Sequence, residues 1–144
     1  MAELMREIVI DATPETIWPF LTEPDKHVQW IGTVAEIDPR PGGIYRVLVN
    51  GRHQSAGEFV EVVPNEKVVL TFGWEEKDHP IPPGSTTLEI TLHPEGEKTL
   101  VRLVHRGLPA DAVDDHGNGW QRYLQRLAIV MSGGDPGRDE PEAE

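Results

Sequence analysis

The sequence contains no cysteine, which excludes disulfide bonds, thiolate metal sites and a cysteine nucleophile. No stretch approaches the roughly 20 consecutive apolar residues that a membrane-spanning helix needs. The first seven residues carry acidic side chains and lack the apolar run of a secretory signal peptide. We therefore expect a soluble, cytoplasmic protein without a membrane span.

Basic residues are also scarce, because 13 lysines and arginines face 25 aspartates and glutamates, for a net charge of -12. A charge of that sign repels phosphate backbones and anionic lipids. The nearest approach to a basic patch is Arg122 with Arg126, a spacing that is typical of one solvated helix face. The composition therefore predicts no nucleic-acid partner.

Motifs for metal binding and for common catalysis are missing as well. The six histidines lack the His-Glu-x-x-His spacing, and the acidic loops lack the alternation of a calcium loop. No serine stands in a Gly-x-Ser-x-Gly motif, and no glycine pair matches a phosphate-binding fingerprint. We predict no metal, no cofactor and no catalytic residue.

A long amphipathic helix is predicted near the C-terminus, followed by a polar tail. Apolar or small residues recur there at steps of three and four, at Val113, Gly117, Trp120, Leu124, Leu127 and Met131, while Gln121, Arg122, Gln125 and Arg126 occupy the opposite side. The glycines at 133 and 134 end this helix. Residues 133–144 are rich in turn formers and acids, so we expect a disordered acidic tail after a single domain over residues 1–132.

Two short helices are predicted after a first strand over Met5–Asp11. Thr13 before Pro14 is typical of a helix N-cap followed by a proline in the first turn. Pro19 comes too late to begin this helix and should truncate or kink it. A second short helical piece is expected from Pro24 to Trp30.

Between these helices the apolar period changes to two, which is typical of half-buried antiparallel strands. The alternating residues are Tyr45, Val47 and Val49; Val68, Leu70, Phe72 and Trp74; Leu88, Ile90 and Leu92; and Val101, Leu103 and His105. Proline, glycine and asparagine mark turns between the runs. The order of one strand, short helices, about six strands and a long helix predicts an α+β fold.

A series of short motifs resembles the START-like superfamily, also called SRPBCC or birch-pollen-allergen-like. The matching segments are Ile10-Asp11-Ala12 with Pro14 to Trp18, Trp30, Gly42-Gly43, Gly57-Glu58-Phe59 with Val63-Pro64, Val69 to Phe72, Val104 to Pro109, and His116 with Gly119-Trp120. Within the superfamily, the series over residues 5–132 is most similar to the activators of the Hsp90 ATPase. The resemblance implies a helix-grip fold, in which a curved antiparallel sheet of six to seven strands encloses a cavity against the long helix.

The resemblance also suggests which residues face that cavity. The expected lining is Trp30, Tyr45, Phe72, Trp74, Ile90, Leu103, His105, Trp120 and Leu124, with Gly117 leaving space on the helix. His116 is expected to lie beside Trp120 near the entrance. The same residues are also what a filled core would contain. Two departures, Pro19 and the proline-rich loop 75–84, flank the expected cavity mouth, so ligand preference does not transfer from relatives.

Three functions follow as hypotheses. The leading one is a non-enzymatic carrier or sensor for a small apolar or aromatic molecule, lipid-like or polyketide-like, oriented by Tyr45, His105 and Arg46. The second is a protein-binding module whose partner is a chaperone. The third is a polyketide cyclase-like enzyme, with Glu58 and His105 as the first candidate groups. A monomer or weak dimer is expected.

Overall fold

The computed structural model describes residues 2–139, which form one curved antiparallel sheet with helices on its concave side. The seven strands are β1 (Ala2–Ile10), β2 (Val34–Ile37), β3 (Ile44–Val49), β4 (His53–Val63), β5 (Lys67–Trp74), β6 (Thr86–Glu95) and β7 (Lys98–Leu108). Their order across the sheet is β1-β7-β6-β5-β4-β3-β2. The predicted α+β helix-grip fold is confirmed.

Three single-turn helices follow the first strand where two were predicted. They are α1 (Pro14–Ile17), α2 (Pro19–Thr22) and α3 (Pro24–His27), and each has a proline in its first turn. Pro19 ends one turn and begins the next, because its ring cannot continue the preceding helix. The expected truncation at Pro19 is confirmed.

The long helix α4 (Val113–Met131) crosses the concave side of the sheet and lies closest to β1. Its buried face contains Trp120, Tyr123, Leu124 and Leu127. These side chains meet the inward residues of the strands, including Leu70, Leu88 and Leu103, in one apolar core. Within residues 2–139, no helix is long and apolar enough to cross a membrane.

Gly117 was expected to leave space for a ligand, but in the structure another side chain occupies the space beside it. A Cβ atom at this position would collide with the guanidinium of Arg6 on β1. The glycine therefore lets the helix approach the edge of the sheet. No empty space remains beside Gly117 for the cavity.

The chain after α4 differs from the expected disordered tail. Residues 133–139, which we call the C-terminal strap, fold back against α4, and Asp139 at the end of the strap is 1 % exposed. The last part of the predicted tail, residues 140–144, lies outside the described residues. The absence of large apolar side chains suggested disorder, but the strap is held by polar contacts instead.

Arg126 is the main anchor of the strap on α4, and its predicted place on a solvated face is wrong. Its side chain is buried, with the residue 6 % exposed. The guanidinium donates hydrogen bonds to the backbone oxygens of Trp30 (2.9 Å), Pro136 (3.0 Å) and Gly137 (2.8 Å). Three carbonyl oxygens accept from the N–H groups of this guanidinium, which allows it to be buried, whereas the apolar pattern alone predicted an exposed side chain.

Candidate functional site

A solvent-open cleft of about 510 Å³ lies between α4 and the end of the sheet formed by β3, β4 and β5. Its lining comes from α4, from the ends of these strands and from the loops beside them. The lining residues are Ile31, Val49, Asn50, His53, Phe72, Trp74, Glu76, His79, Asp115, His116, Gly119, Trp120, Arg122 and Tyr123.

Aromatic rings form the inner wall of this cleft. The ring centroid of Phe72 lies 5.3 Å from that of Trp74 and 5.8 Å from that of Trp120, both in edge-to-face geometry. Trp120 is in turn 6.3 Å from Tyr123. Such pairs hold one another in fixed orientations and add stability beyond their burial. The wall is therefore held in place by contacts within the protein.

His105 lies behind the wall and fixes the position of Trp120. The indole Nε1–H of Trp120 donates to His105 Nδ1 (3.1 Å), so the proton of the neutral imidazole is on Nε2. That nitrogen lies 2.8 Å from the Thr86 hydroxyl, which itself donates to the backbone oxygen of Phe72 (2.5 Å). Burial, with a smaller effect of His116, lowers the pKa of His105 to about 3. Both ring nitrogens are thus occupied.

His116 holds Trp74 in a similar way from the helix side. Its Nδ1–H donates to the backbone oxygen of Ala112 (2.9 Å), and its Nε2 accepts the indole N–H of Trp74 (3.2 Å). Burial lowers the pKa of His116, against the raising effect of its bond to Ala112. As expected, His116 and Trp120 both line the cleft. The closest aromatic neighbours of the His116 ring, however, are His105 and Trp74.

The outer rim of the cleft is polar. The loop after β5 carries Glu76, which is paired with His53, and His79, whose Nδ1 accepts the backbone N–H of Ile81 (2.9 Å). The hydrogen bond from His53 lowers the pKa of the Glu76 carboxyl. A ligand in the cleft would therefore meet aromatic surface inside and charged groups at the mouth.

A buried carboxylate lies behind three of the residues that line the cleft. Asp139 of the C-terminal strap accepts hydrogen bonds from the backbone N–H groups of Gly32 (2.8 Å) and Asn50 (2.9 Å). The Tyr123 hydroxyl lies 3.0 Å from both carboxylate oxygens, and Arg122 Nη1 lies 3.1 Å from one of them. This carboxylate connects α4 to the loop before β2 and to the turn between β3 and β4.

Three of the nine residues predicted to contact a ligand line the cleft: Phe72, Trp74 and Trp120. The other six, Trp30, Tyr45, Ile90, Leu103, His105 and Leu124, are buried in the core and do not line it. The predicted orienting groups are occupied by protein partners. The Tyr45 hydroxyl lies 2.8 Å from His27 Nε2, and Arg46 forms a two-point ion pair with Glu75. Glu58, a candidate catalytic acid, is exposed outside the cleft.

Sequence reasoning placed the loop 75–84, which carries Glu76 and His79, at the cavity mouth, but it did not single out these two residues, nor His53, Asn50 and Tyr123. One signal was present, because Tyr123 lies four residues after Gly119 and three after Trp120 on the same face of α4. The rim residues come from separate loops, and the alternation of apolar residues says nothing about how such loops meet.

Known proteins with the same fold place the chain in a family. Residues 11–132 match the family model described as Activator of Hsp90 ATPase homolog 1-like protein. Among curated proteins no match was found.

Solved structures agree with the family match. An AHSA1-like protein of Rhizobium etli is 39 % identical, with a TM-score of 0.76 over 99 % of this chain and 89 % of that one. The Aha1 dimer of Colwellia psychrerythraea has a TM-score of 0.80 at 21 % identity, over 95 % of this chain and 100 % of that one.

A protein of the dynemicin biosynthetic locus has the same fold, with a TM-score of 0.81 at 21 % identity over 94 % of this chain. The present chain spans about half of that protein's length, 49 %. The family model covers most of the present chain, and the Rhizobium etli relative covers nearly all of it. The chain therefore belongs to the Activator of Hsp90 ATPase homolog 1-like family.

Proposed function

We propose that this protein binds one small, largely aromatic or apolar molecule in the cleft between α4 and the sheet, as a carrier or sensor. The observation that carries this proposal is the aromatic wall of Phe72, Trp74 and Trp120 along an open cleft of about 510 Å³. Ligand sites commonly enclose roughly 300–1,000 Å³ and combine apolar walls with a few polar groups. The composition of this cleft fits that pattern.

The hydrogen bonds of the wall favour binding over catalysis. His105 and His116 each use both ring nitrogens within the protein, and their lowered pKa values keep them neutral near pH 7. A general base needs a free nitrogen within reach of the substrate proton. These two histidines instead support the indole rings that a ligand would touch.

The two other functions rest on the resemblance and on relatives. One solved relative is an Hsp90 activator from Plasmodium falciparum, and another belongs to the dynemicin biosynthetic locus. Stimulation of a chaperone ATPase and ring closure of a polyketide-like substrate stay predictions for this chain. Of the two groups suggested for catalysis, Glu58 is exposed and His105 is occupied, which supports the carrier hypothesis over the enzyme.

Gly119 offers a direct test, because this residue lines the cleft and a Cβ there would have no atom within 4 Å. We expect Gly119→Leu to fill the cleft and to weaken binding of 2-naphthol by at least about tenfold. The fold should survive, since replacing a glycine within a helix commonly adds roughly 0.5–1 kcal/mol of stability. Isothermal titration calorimetry measures the affinity, and urea unfolding measures the stability.

The matched control is Asn118→Leu, which places the same side chain one residue earlier, on the exposed face of α4. This variant should bind 2-naphthol as the unchanged protein does. Equal affinity of the unchanged protein, Gly119→Leu and Asn118→Leu for 2-naphthol would contradict the proposed ligand site. So would a failure of the unchanged protein to bind either 2-naphthol or laurate.

A further inference from the structure

The site that holds Asp139 has the chemistry of a carboxylate receptor. Four donors from three separate parts of the chain converge on the carboxylate: the N–H groups of Gly32 and Asn50, the hydroxyl of Tyr123 and the guanidinium of Arg122. Hydrogen bonds to an ionised acceptor are roughly twice as strong as neutral ones. Two of the donors are backbone N–H groups, so their positions do not depend on side-chain rotamers.

The receptor is continuous with the proposed ligand cleft. Asn50, Arg122 and Tyr123 each line the cleft and also contact Asp139, and Gly32 directly follows the lining residue Ile31. A molecule lying against the aromatic wall would therefore have one end beside the four donors. Behind these lining residues, the four donors are already occupied by a carboxylate of the protein itself, that of Asp139.

We propose that the receptor is a carboxylate subsite of the cleft, and that Asp139 is a tethered competitor for it. The ligand class is an aromatic monocarboxylate, with its ring against the wall formed by Phe72, Trp74 and Trp120. Binding replaces one carboxylate by another, so the buried donors keep a partner throughout. This inference rests on the proposed ligand function of the cleft.

The attachment of the strap agrees with a local release of Asp139. Arg126 holds the backbone of Pro136 and Gly137, which precede Asp139 by three and two residues respectively. Only the end of the strap must therefore move to free the receptor. A tethered competitor lowers the apparent affinity of a ligand by the fraction of time for which the site is free. If the receptor is free about one tenth of the time, removing Asp139 raises the affinity about tenfold.

The test compares 2-naphthoate with the uncharged 2-naphthamide, by calorimetry on the full chain and on Asp139→Ala. We expect Asp139→Ala to bind 2-naphthoate at least about tenfold more tightly and to bind 2-naphthamide within twofold of the unchanged protein. Asp139→Asn keeps the side-chain size but removes the charge, so it should also tighten 2-naphthoate and leave 2-naphthamide within twofold of the unchanged protein. Circular dichroism checks that both variants fold.

Asp135→Ala is the matched control, because this exposed carboxylate lies in the same strap and accepts a bond from the nearby Gly137 N–H rather than from the receptor donors. It removes the same charge and should leave both affinities unchanged. A second control, Tyr123→Phe in the Asp139→Ala background, removes one donor and should weaken 2-naphthoate several-fold while sparing 2-naphthamide.

The outcomes separate the two proposals. If Asp139→Ala binds 2-naphthamide as tightly as 2-naphthoate, the cleft binds ligands but the carboxylate subsite is refuted. An equal gain in Asp135→Ala would also refute it, since the effect would be one of total charge. If neither aromatic probe binds any variant, the ligand function of the cleft fails, and the subsite fails with it.

Discussion

Histidine side chains in the core act as neutral hydrogen-bond connectors. His27 donates from Nδ1 to the backbone oxygen of Phe20 and accepts the hydroxyl of Tyr45, and burial lowers its pKa to about 4. His105 makes the corresponding pair of bonds to Trp120 and Thr86, with a pKa of about 3. Protonation of either ring would turn its accepting nitrogen into a donor, so that hydrogen bond would be lost, and it would place a charge in the core.

These two histidines predict a loss of stability in acid. Unfolding restores a pKa near 6.5, so below that pH the unfolded chain binds protons that the folded chain does not. The free energy of unfolding should fall as the pH drops from about 6.5 towards the folded pKa values of about 4 and 3. By pH 5 the loss is about 2 kcal/mol for each histidine. Urea unfolding between pH 7 and pH 5 measures it.

Replacing one connector tests this explanation. His105→Gln should be less stable at pH 7 and should lose about 2 kcal/mol less than the unchanged protein between pH 7 and pH 5. His93→Gln, a change on β6 that leaves His27 and His105 in place, should keep the full acid dependence. An identical pH dependence in His105→Gln would show that this histidine is not the cause.

At this scale the sequence identified which residues face inward, but not where the inward surface stays unfilled. Leu103 and Trp74 belong to the same kind of alternating pattern, yet Leu103 is fully buried in the middle of β7, while Trp74 reaches the cleft. The difference depends on how α4 crosses the sheet. Periodicity within one strand carries no information about that crossing.

At the scale of elements, one arginine packs beside the N-terminal part of α4 and another bonds from its C-terminal half to neighbouring segments. Arg6 of β1 fills the space beside Gly117, and Arg126 connects the C-terminal half of α4 to Trp30 and to the strap. Arg126 and Asp139 thus connect α4 to the loops beside the open end of the sheet.

We expect Arg126→Lys to destabilise the fold by about 2 kcal/mol. A lysine ammonium cannot match the planar fork of a guanidinium, so buried carbonyl oxygens lose their donors. Urea unfolding at pH 7 measures the change, and Gln125→Lys on the exposed neighbouring position of α4 is the control. Equal stability of Arg126→Lys and the unchanged protein would contradict an anchoring role for this guanidinium.

Proline and turn signals predicted the elements well, since Pro19 divides two helical turns and glycine turns separate the strands. The expected count of about six strands after the short helices is right, but no alternating run located β2 or β4, and the four residues of β2 are too few to show a period. The place of Arg126 was also missed. Its partners are backbone oxygens, and every residue has one, so the pattern of side chains along the sequence could not predict them.

At the scale of the whole molecule, the folded unit extends beyond the predicted boundary at residue 132. Asp139 and the backbone oxygens of Pro136 and Gly137 are bonded to groups on α4 and to the loops beside β2 and β3. The order of elements was enough to predict the helix-grip fold, because an antiparallel sheet followed by one amphipathic helix has few ways to bury both apolar faces. The polar strap lay outside that reasoning.

A chain ending at residue 132 should therefore unfold more easily than one ending at residue 139. Truncation leaves Arg126 and the receptor donors without their strap partners, and we expect a cost of about 3 kcal/mol. Thermal and urea unfolding of the two chains measure the difference. Equal stability of the two chains would show that the strap does not unfold together with the domain, and would support the predicted boundary at residue 132.

The two tryptophans of the cleft have a further consequence, which is optical. Each indole N–H is already donated to a neutral imidazole, Trp74 to His116 and Trp120 to His105. A bound molecule can therefore reach these rings only through their faces and edges, which is the arrangement in which an aromatic guest changes indole emission by stacking. For the ligand binding proposed above, we therefore expect the intrinsic tryptophan fluorescence to report occupancy without an attached dye.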